Sequence, residues 1–434
     1  MKPILSLAGI VMLGTGTLFA QQESPASQAA NPDVAALQQQ IRNLEDRVIS
    51  LEGQVRALKS AQAVPIASPV PAAAAPTGSQ APTVAENVIA QTPTLGGAGG
   101  SAAKALNPDI SVIGDFIGSA GGNAATLIAP QQPFPSLQMH ESELGLQAII
   151  DPYARGDFFL SFGEEGVDLE EGYITFTALP KGFVVKAGKM RSAFGKVNGM
   201  HNHVLPWIDR PLVTTNLVGG EDGIDDAGVS IQRIIPFPKQ IFLEATGQVF
   251  RGDAGDGAQG VFKSWQRSNV STVAHLRAYK DITESTNIDL GLSYARGHND
   301  FGPDFVTNLY GVDATVRWKP LRRSIYHSFV GRGELIWSQR QQLPVEQKAF
   351  GMYASADYQF ARRWFLGGRF DRSSRGQFAN LTDNGGSVVL TYWPSEFSQV
   401  RGQYRFTNYA ENIKANELLM QLIFSLGAHG AHPF

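Results

Sequence analysis

The stretch Glu417-Leu418-Leu419-Met420-Gln421-Leu422-Ile423-Phe424-Ser425-Leu426 decides how this chain folds. Leu418, Met420, Leu422, Phe424 and Leu426 alternate with a second row that contains Glu417, Gln421 and Ser425. Successive side chains of a strand point to opposite faces, so an extended backbone here has one wholly apolar face. Residues 400–409 repeat the pattern: Val400, Gly402, Tyr404 and Phe406 lie on one side, Arg401, Gln403, Arg405 and Thr407 on the other. A strand with lipid on one face and water on the other has this composition. In hydrocarbon its backbone groups must all be satisfied by neighbouring strands, which requires a closed sheet.

Working back from these segments, residues 107–434 divide into about sixteen pieces separated alternately by short and long gaps, as in barrels of the bacterial outer membrane. Tight turns are expected at 151–154, 179–182, 236–239, 281–285 and 394–396, and long connections at about 118–136, 191–225, 251–269, 297–304 and 373–385. The fold class is all-β: a transmembrane antiparallel β-barrel of about 16 strands, preceded by an α-helical coiled coil and a Pro/Ala-rich linker. With the amino terminus in the periplasm, the short turns fall on the periplasmic side. The partners expected of such a barrel are outer-membrane lipid and lipopolysaccharide, and small hydrophilic or anionic solutes.

Composition narrows the function. The chain has 434 residues, a net charge of -3 and no cysteine. Near-neutral charge gives no reason to expect nucleic acid as a partner. Without cysteine there is no disulfide, thiolate metal site, cysteine nucleophile or lipoprotein acylation site. Neither G-x-S-x-G nor H-E-x-x-H occurs, and no acid–base pair is assembled in sequence. An enzyme is not expected, and no cofactor is implied.

The amino-terminal part has three pieces. Lys2 and the apolar run 4–20, ending Leu18-Phe19-Ala20, read as a signal peptide over 1–20. Over 33–59, Val34, Leu37, Ile41, Leu44, Val48, Leu51, Val55 and Leu58 recur at steps of three and four, a coiled-coil seam with Arg47 and Glu52 at flanking positions. A single amphipathic helix packed on its own protein is the competing reading, but no neighbouring core is available to receive the stripe. The coiled coil would sit in the periplasm, making a homo-oligomer and reaching peptidoglycan. β-Branched residues at a with leucine at d favour two strands, whereas outer-membrane pores are commonly trimers. Residues 60–106, rich in Ala, Pro, Gly, Ser and Thr, form a linker.

The stretch Phe183-Val184-Val185-Lys186-Ala187-Gly188-Lys189-Met190-Arg191-Ser192-Ala193-Phe194-Gly195 resembles the strand of the phosphate-selective porin O and P family that ends x-x-G-x-x-x-x-x-F-G. The order of coiled coil, linker and barrel resembles that family too. The resemblance implies a trimeric porin whose third loop, here 191–225, folds into the channel, and whose permeation path is lined by basic residues. Phe434 is the terminal aromatic expected of an insertion signal, but residues 427–433 separate it from the last strand, so Phe424 competes for that part.

A pore selects by width and by the charges at its narrowest part. Strand parity puts His275, Arg277, Arg317, Arg332, Arg369, Arg401 and Arg405 on the water face as a basic wall. Arginine suits oxyanions because its planar fork donates two hydrogen bonds. Glu171, Glu244, Asp289, Asp313, Glu334, Asp357 and Asp371 share that face, so pairing within the wall is the competing expectation. Constriction candidates in the third loop are Trp207, Asp209, Arg210, Glu221 and Asp222. Folded inward, the acidic run 221–226 would face the basic wall; folded outward, it is a solvated rim. His201 and His203, and separately His429 and His432, are weak candidates for a transition metal such as zinc, with no third ligand evident.

The expected function is therefore passive diffusion of small hydrophilic solutes, with an anion (phosphate-like) preference. Two alternatives stand beside it: a barrel-anchored tether bound to the cell wall through the coiled coil, and a metal (zinc)-related outer-membrane receptor. An active receptor of the 22-stranded, plugged kind is disfavoured, because the barrel segment holds too few strands.

Overall fold

The computed structural model describes residues 108–122, 135–163, 166–255 and 260–427. The signal peptide, coiled coil and linker expected over 1–106 lie outside the described residues, as do His429, His432 and Phe434.

The described residues form sixteen strands: β1 Asp109–Gly121, β2 Leu137–Asp151, β3 Ala154–Gly163, β4 Gly166–Phe176, β5 Phe183–Arg191, β6 Asp225–Ile235, β7 Phe242–Phe250 and β8 Ser271–Thr283; then β9 Thr286–Asn299, β10 Gly302–Trp318, β11 Ser328–Arg340, β12 Gln347–Ala361, β13 Trp364–Ser374, β14 Thr382–Ser395, β15 Ser398–Tyr409 and β16 Ile413–Gly427. Each pairs antiparallel with its chain neighbours, and β1 pairs with β16 to close the barrel. Among the described residues no strand edge is left open, as a sheet in lipid requires. The count agrees with the alternation read from sequence.

One long connection does not exist. Instead of a gap over 297–304, β9 runs to Asn299 and β10 restarts at Gly302. The Asn299 carboxamide makes the turn, accepting the Phe301 N–H at 3.0 Å and donating to the Gln341 carbonyl at 3.0 Å. A polar side chain that satisfies local backbone in this way suits tight turns. Likewise β14 begins at Thr382, so residues 382–385, Gly385 among them, belong to the ladder rather than to a loop over 373–385.

The two faces separate as the alternation demands. On β16, Leu418 is 59% exposed, whereas its neighbour Leu419 is fully covered. Outward aromatic pairs lock adjacent strands across the ladder: Trp364 with Tyr392 at 4.5 Å between ring centroids, Trp337 with Phe350 at 5.3 Å and Tyr294 with Tyr310 at 5.3 Å. Such cross-strand pairs stabilise a sheet, and rings of this kind suit the boundary between lipid and water.

Candidate functional site

The connection between β5 and β6, residues 192–224, enters the barrel. Two glycines of the 183–195 stretch make this possible. At Gly188 (φ +142°) a Cβ would lie 2.1 Å from the Gly172 carbonyl oxygen, so only glycine lets β5 lie this close to β4. At Gly195 (φ +63°) a Cβ would lie 1.7 Å from a Glu334 carboxylate oxygen on β11. The chain therefore turns inward at Phe194-Gly195 in a left-handed conformation that favours glycine. Phe194, Trp207, Val213 and Val218 are buried, packed with wall residues such as Leu309, Ile336, Tyr353 and Val389. Burying each large apolar side chain contributes about 1.5–3 kcal/mol, so the loop carries its own core into the lumen. Short helical turns at Leu212–Thr214 and Thr215–Gly219 follow Pro211.

On one side the loop meets arginines. Asp209 Oδ2 accepts from Arg369 at 2.9 Å and from Arg405 at 2.9 Å, while Arg369 also donates to the Asp209 carbonyl at 2.8 Å. Both arginines hold wall carboxylates as well, Arg369 reaching Asp371 at 2.6 Å and Arg405 reaching Glu417 at 2.6 Å. Arg401 donates to the Trp207 carbonyl at 3.2 Å and to Gln421 at 2.8 Å. The Trp207 ring lies edge-on to Tyr353 at 5.3 Å and beneath the Arg369 guanidinium at 4.8 Å. Burial alone would raise the Asp209 pKa, but the two guanidinium groups outweigh it and hold the carboxyl well below the usual carboxylate range.

On the other side the loop meets carboxylates. β-Bulges insert His140 into β2 and Glu170 into β4, because Asp115 pairs with Glu141 and Phe116 with Met139, and Phe159 pairs with Glu171 and Leu160 with Leu169. An extra residue reverses strand parity locally, so Glu170 and Glu171, though adjacent, both reach His201. Its Nδ1 lies 2.7 Å from Glu170 Oε2 and 2.9 Å from Glu143 Oε2, and its Nε2 lies 3.0 Å from Glu171 Oε2. Burial works against a charged imidazole, but these three carboxylates outweigh it and hold the His201 pKa well above its ordinary value. His203 Nδ1 is 3.6 Å from Glu143 Oε2. Between the histidines, Asn202 donates to Glu141 at 2.9 Å and to Glu221 at 2.5 Å.

The residues singled out from sequence thus fall into distinct places. Arg369, Arg401 and Arg405 lie under the loop. Arg277 and Arg317 converge on Asp289 at 2.7 and 3.7 Å, Arg332 pairs with Asp357, and His275 meets the Ser293 hydroxyl at 2.8 Å. Arg332 therefore takes Asp357 rather than Glu334, which accepts the Lys196 backbone N–H of the loop. Arg210 is a scaffold within the loop, donating to the carbonyls of Val197 and Met200 and to the Asn202 side chain.

The acidic run does not face the arginine wall. Glu221 lies 3.2 Å from His140, the carbonyl of Asp222 accepts from Arg191 at 2.9 Å, and Asp225 lies 3.3 Å from Lys189. The run leads into β6 beside β5, so its own hairpin and β2 neutralise it, and Asp209 is the group presented to the arginines. Sequence reasoning passed over Glu170 because strict alternation does not reveal a bulge, and over Glu143, which follows the alternation, because nothing in the sequence ties it to residue 201.

No known family model matches the chain. An uncharacterized protein of Aquifex aeolicus (strain VF5) is 28% identical over 335 residues, covering 68% of this chain and 70% of that protein. Among solved structures, the anion-selective porin from Comamonas acidovorans superposes with a TM-score of 0.51 at 10% identity, over 74% of this chain and all of that one. The outer membrane channel DcaP of Acinetobacter baumannii gives 0.50 at 11% identity, over 74% of this chain and 96% of that one. The architecture is that of the outer-membrane porins and channels.

Proposed function

We propose that the chain is an outer-membrane porin through which small hydrophilic solutes diffuse passively, assembled as a homotrimer with its coiled coil in the periplasm, where it can reach peptidoglycan. The observation that carries this reading is the third loop, held inside a closed barrel between walls of opposite charge, Asp209 on arginines and His201 on carboxylates. Such a loop narrows a lumen and fixes charges beside the remaining path.

An anion preference is the finer part of the proposal. With Arg369, Arg401 and Arg405 under the loop, it rests on His275, Arg277, Arg317 and Arg332. The Arg317 side chain, 36% exposed, is the most accessible of the arginines there. The resemblance of residues 183–195 to the phosphate-selective family supports the same direction. The test is the reversal potential of the purified protein in a planar bilayer under a KCl gradient, followed by phosphate titration. Chloride-selective current blocked by phosphate is expected. Unselective current removes the anion preference, and no current from folded oligomers removes the porin.

A further inference from the structure

We propose that Glu143 of β2, Glu170 of β4 and His201 of the loop bind one divalent transition-metal cation of the zinc class, which fastens the loop to the β2–β4 wall. The inference goes beyond the porin reading and stands without it.

The geometry comes first. A tetrahedral cation with bonds of about 2.0–2.1 Å holds its ligand atoms roughly 3.3 Å apart. Here the three ligand atoms all lie within 4.8 Å of one another, with 2.7 Å between His201 Nδ1 and Glu170 Oε2 and 2.9 Å between His201 Nδ1 and Glu143 Oε2, while His203 stands outside the set. The group is well covered: the side chains of Glu143, Glu170 and His201 are 4, 8 and 14% exposed. Mixed imidazole and carboxylate donors suit zinc-like ions, whereas magnesium and calcium prefer all-oxygen sites.

A second observation points to an ion rather than to hydrogen bonding alone. Glu143 Oε2 is buried and takes no hydrogen bond of acceptable geometry among the described residues, although it lies beside two imidazole nitrogens. A single Nδ1–H on His201 cannot point at both Glu143 and Glu170. A cation between the three would satisfy all of them at once.

The outer shell fits as well. His201 turns its other nitrogen to Glu171 Oε2, and the second oxygen of Glu171 accepts the Arg191 backbone N–H at 2.7 Å. A ligating histidine that donates its far N–H to an anchored carboxylate is the usual support of a metal-bound imidazole. The Phe159 ring, 5.3 Å from the His201 ring, packs beside it. Arg191 lies 3.5 Å from Glu170, and Arg210 donates to loop carbonyls and to Asn202. The adjacent group of His140, Glu141 and Glu221 is bridged by the Asn202 amide, so one ion suffices.

The test uses the full-length oligomer in detergent, stripped with EDTA and titrated with Zn²⁺, and separately with Co²⁺ for its absorption spectrum. The proposal expects one ion per chain, a tetrahedral Co²⁺ spectrum, and binding about 10- to 100-fold weaker in Glu171→Gln. Binding should also fall at least about tenfold in Glu143→Gln and stay unchanged in His429→Asn/His432→Asn. Heat-modifiable migration on gels confirms that each variant is folded. Because His201→Asn removes a loop anchor as well, Glu143→Gln carries the decision. No stoichiometric uptake, or uptake that survives Glu143→Gln, overturns the site.

Discussion

The loop grips two walls of one barrel by opposite means. On β13–β15 a single loop carboxylate, Asp209, is held by two arginines that are themselves paired with Asp371 and Glu417. On β2–β4 a single loop imidazole, His201, sits among three glutamates, of which Glu170 also lies 3.5 Å from Arg191. The first clamp is built from permanently charged guanidinium groups. The cation at the centre of the second is an imidazole, which is charged only with a proton and can instead ligate a metal ion. The same loop is therefore anchored permanently on one side and conditionally on the other.

The largest expected effect comes from breaking the permanent side. Asp209→Ala leaves Arg369 and Arg405 buried without the loop carboxylate, and losing one partner of a buried pair costs about 3–5 kcal/mol. Single-channel conductance should rise several-fold as the loop leaves the lumen. Unchanged conductance would mean that Asp209 does not hold it.

A smaller effect concerns acid. Because the folded pKa of Asp209 is depressed, its contribution is present above the unfolded value of about 4 and is lost only as pH falls through the lower folded value. Conductance and Trp207 fluorescence should hold steady from pH 7 to about 4 and change only below that. A transition centred on the ordinary carboxylate pKa would contradict the paired state of Asp209. Smallest is Arg317→Gln. It should shift the reversal potential toward cations and leave conductance nearly unchanged, since this arginine is the accessible one beside Asp289 rather than a loop anchor.

The barrel was legible because lipid and water impose a period of two on every strand; residues 400–409 and 417–426 sufficed to set the class. Strand ends were less legible. Asn299 makes a two-residue turn where a loop seemed necessary, and Gly385 continues a ladder where a loop over 373–385 was expected. The arginines were placed on the lumen face, but their burial was not foreseeable, since it depends on where residue 209 lands after a long excursion. His201 and His203 were visible as a pair without a third ligand. Glu170 was hidden by the bulge that sets it beside Glu171 on the same face, and Glu143, which follows plain alternation, was hidden only by its distance along the chain from residue 201.

The central claim is that the loop fills the lumen and is held there by Asp209. The absence of native cysteine allows it to be tested one position at a time. Val204 is 50% exposed and Val213 fully covered, so Val204→Cys should react with a membrane-impermeant thiol reagent and Val213→Cys should not, until Asp209→Ala is added. Equal reactivity of Val204→Cys and Val213→Cys in the otherwise native barrel would put the loop outside, and the account would fail.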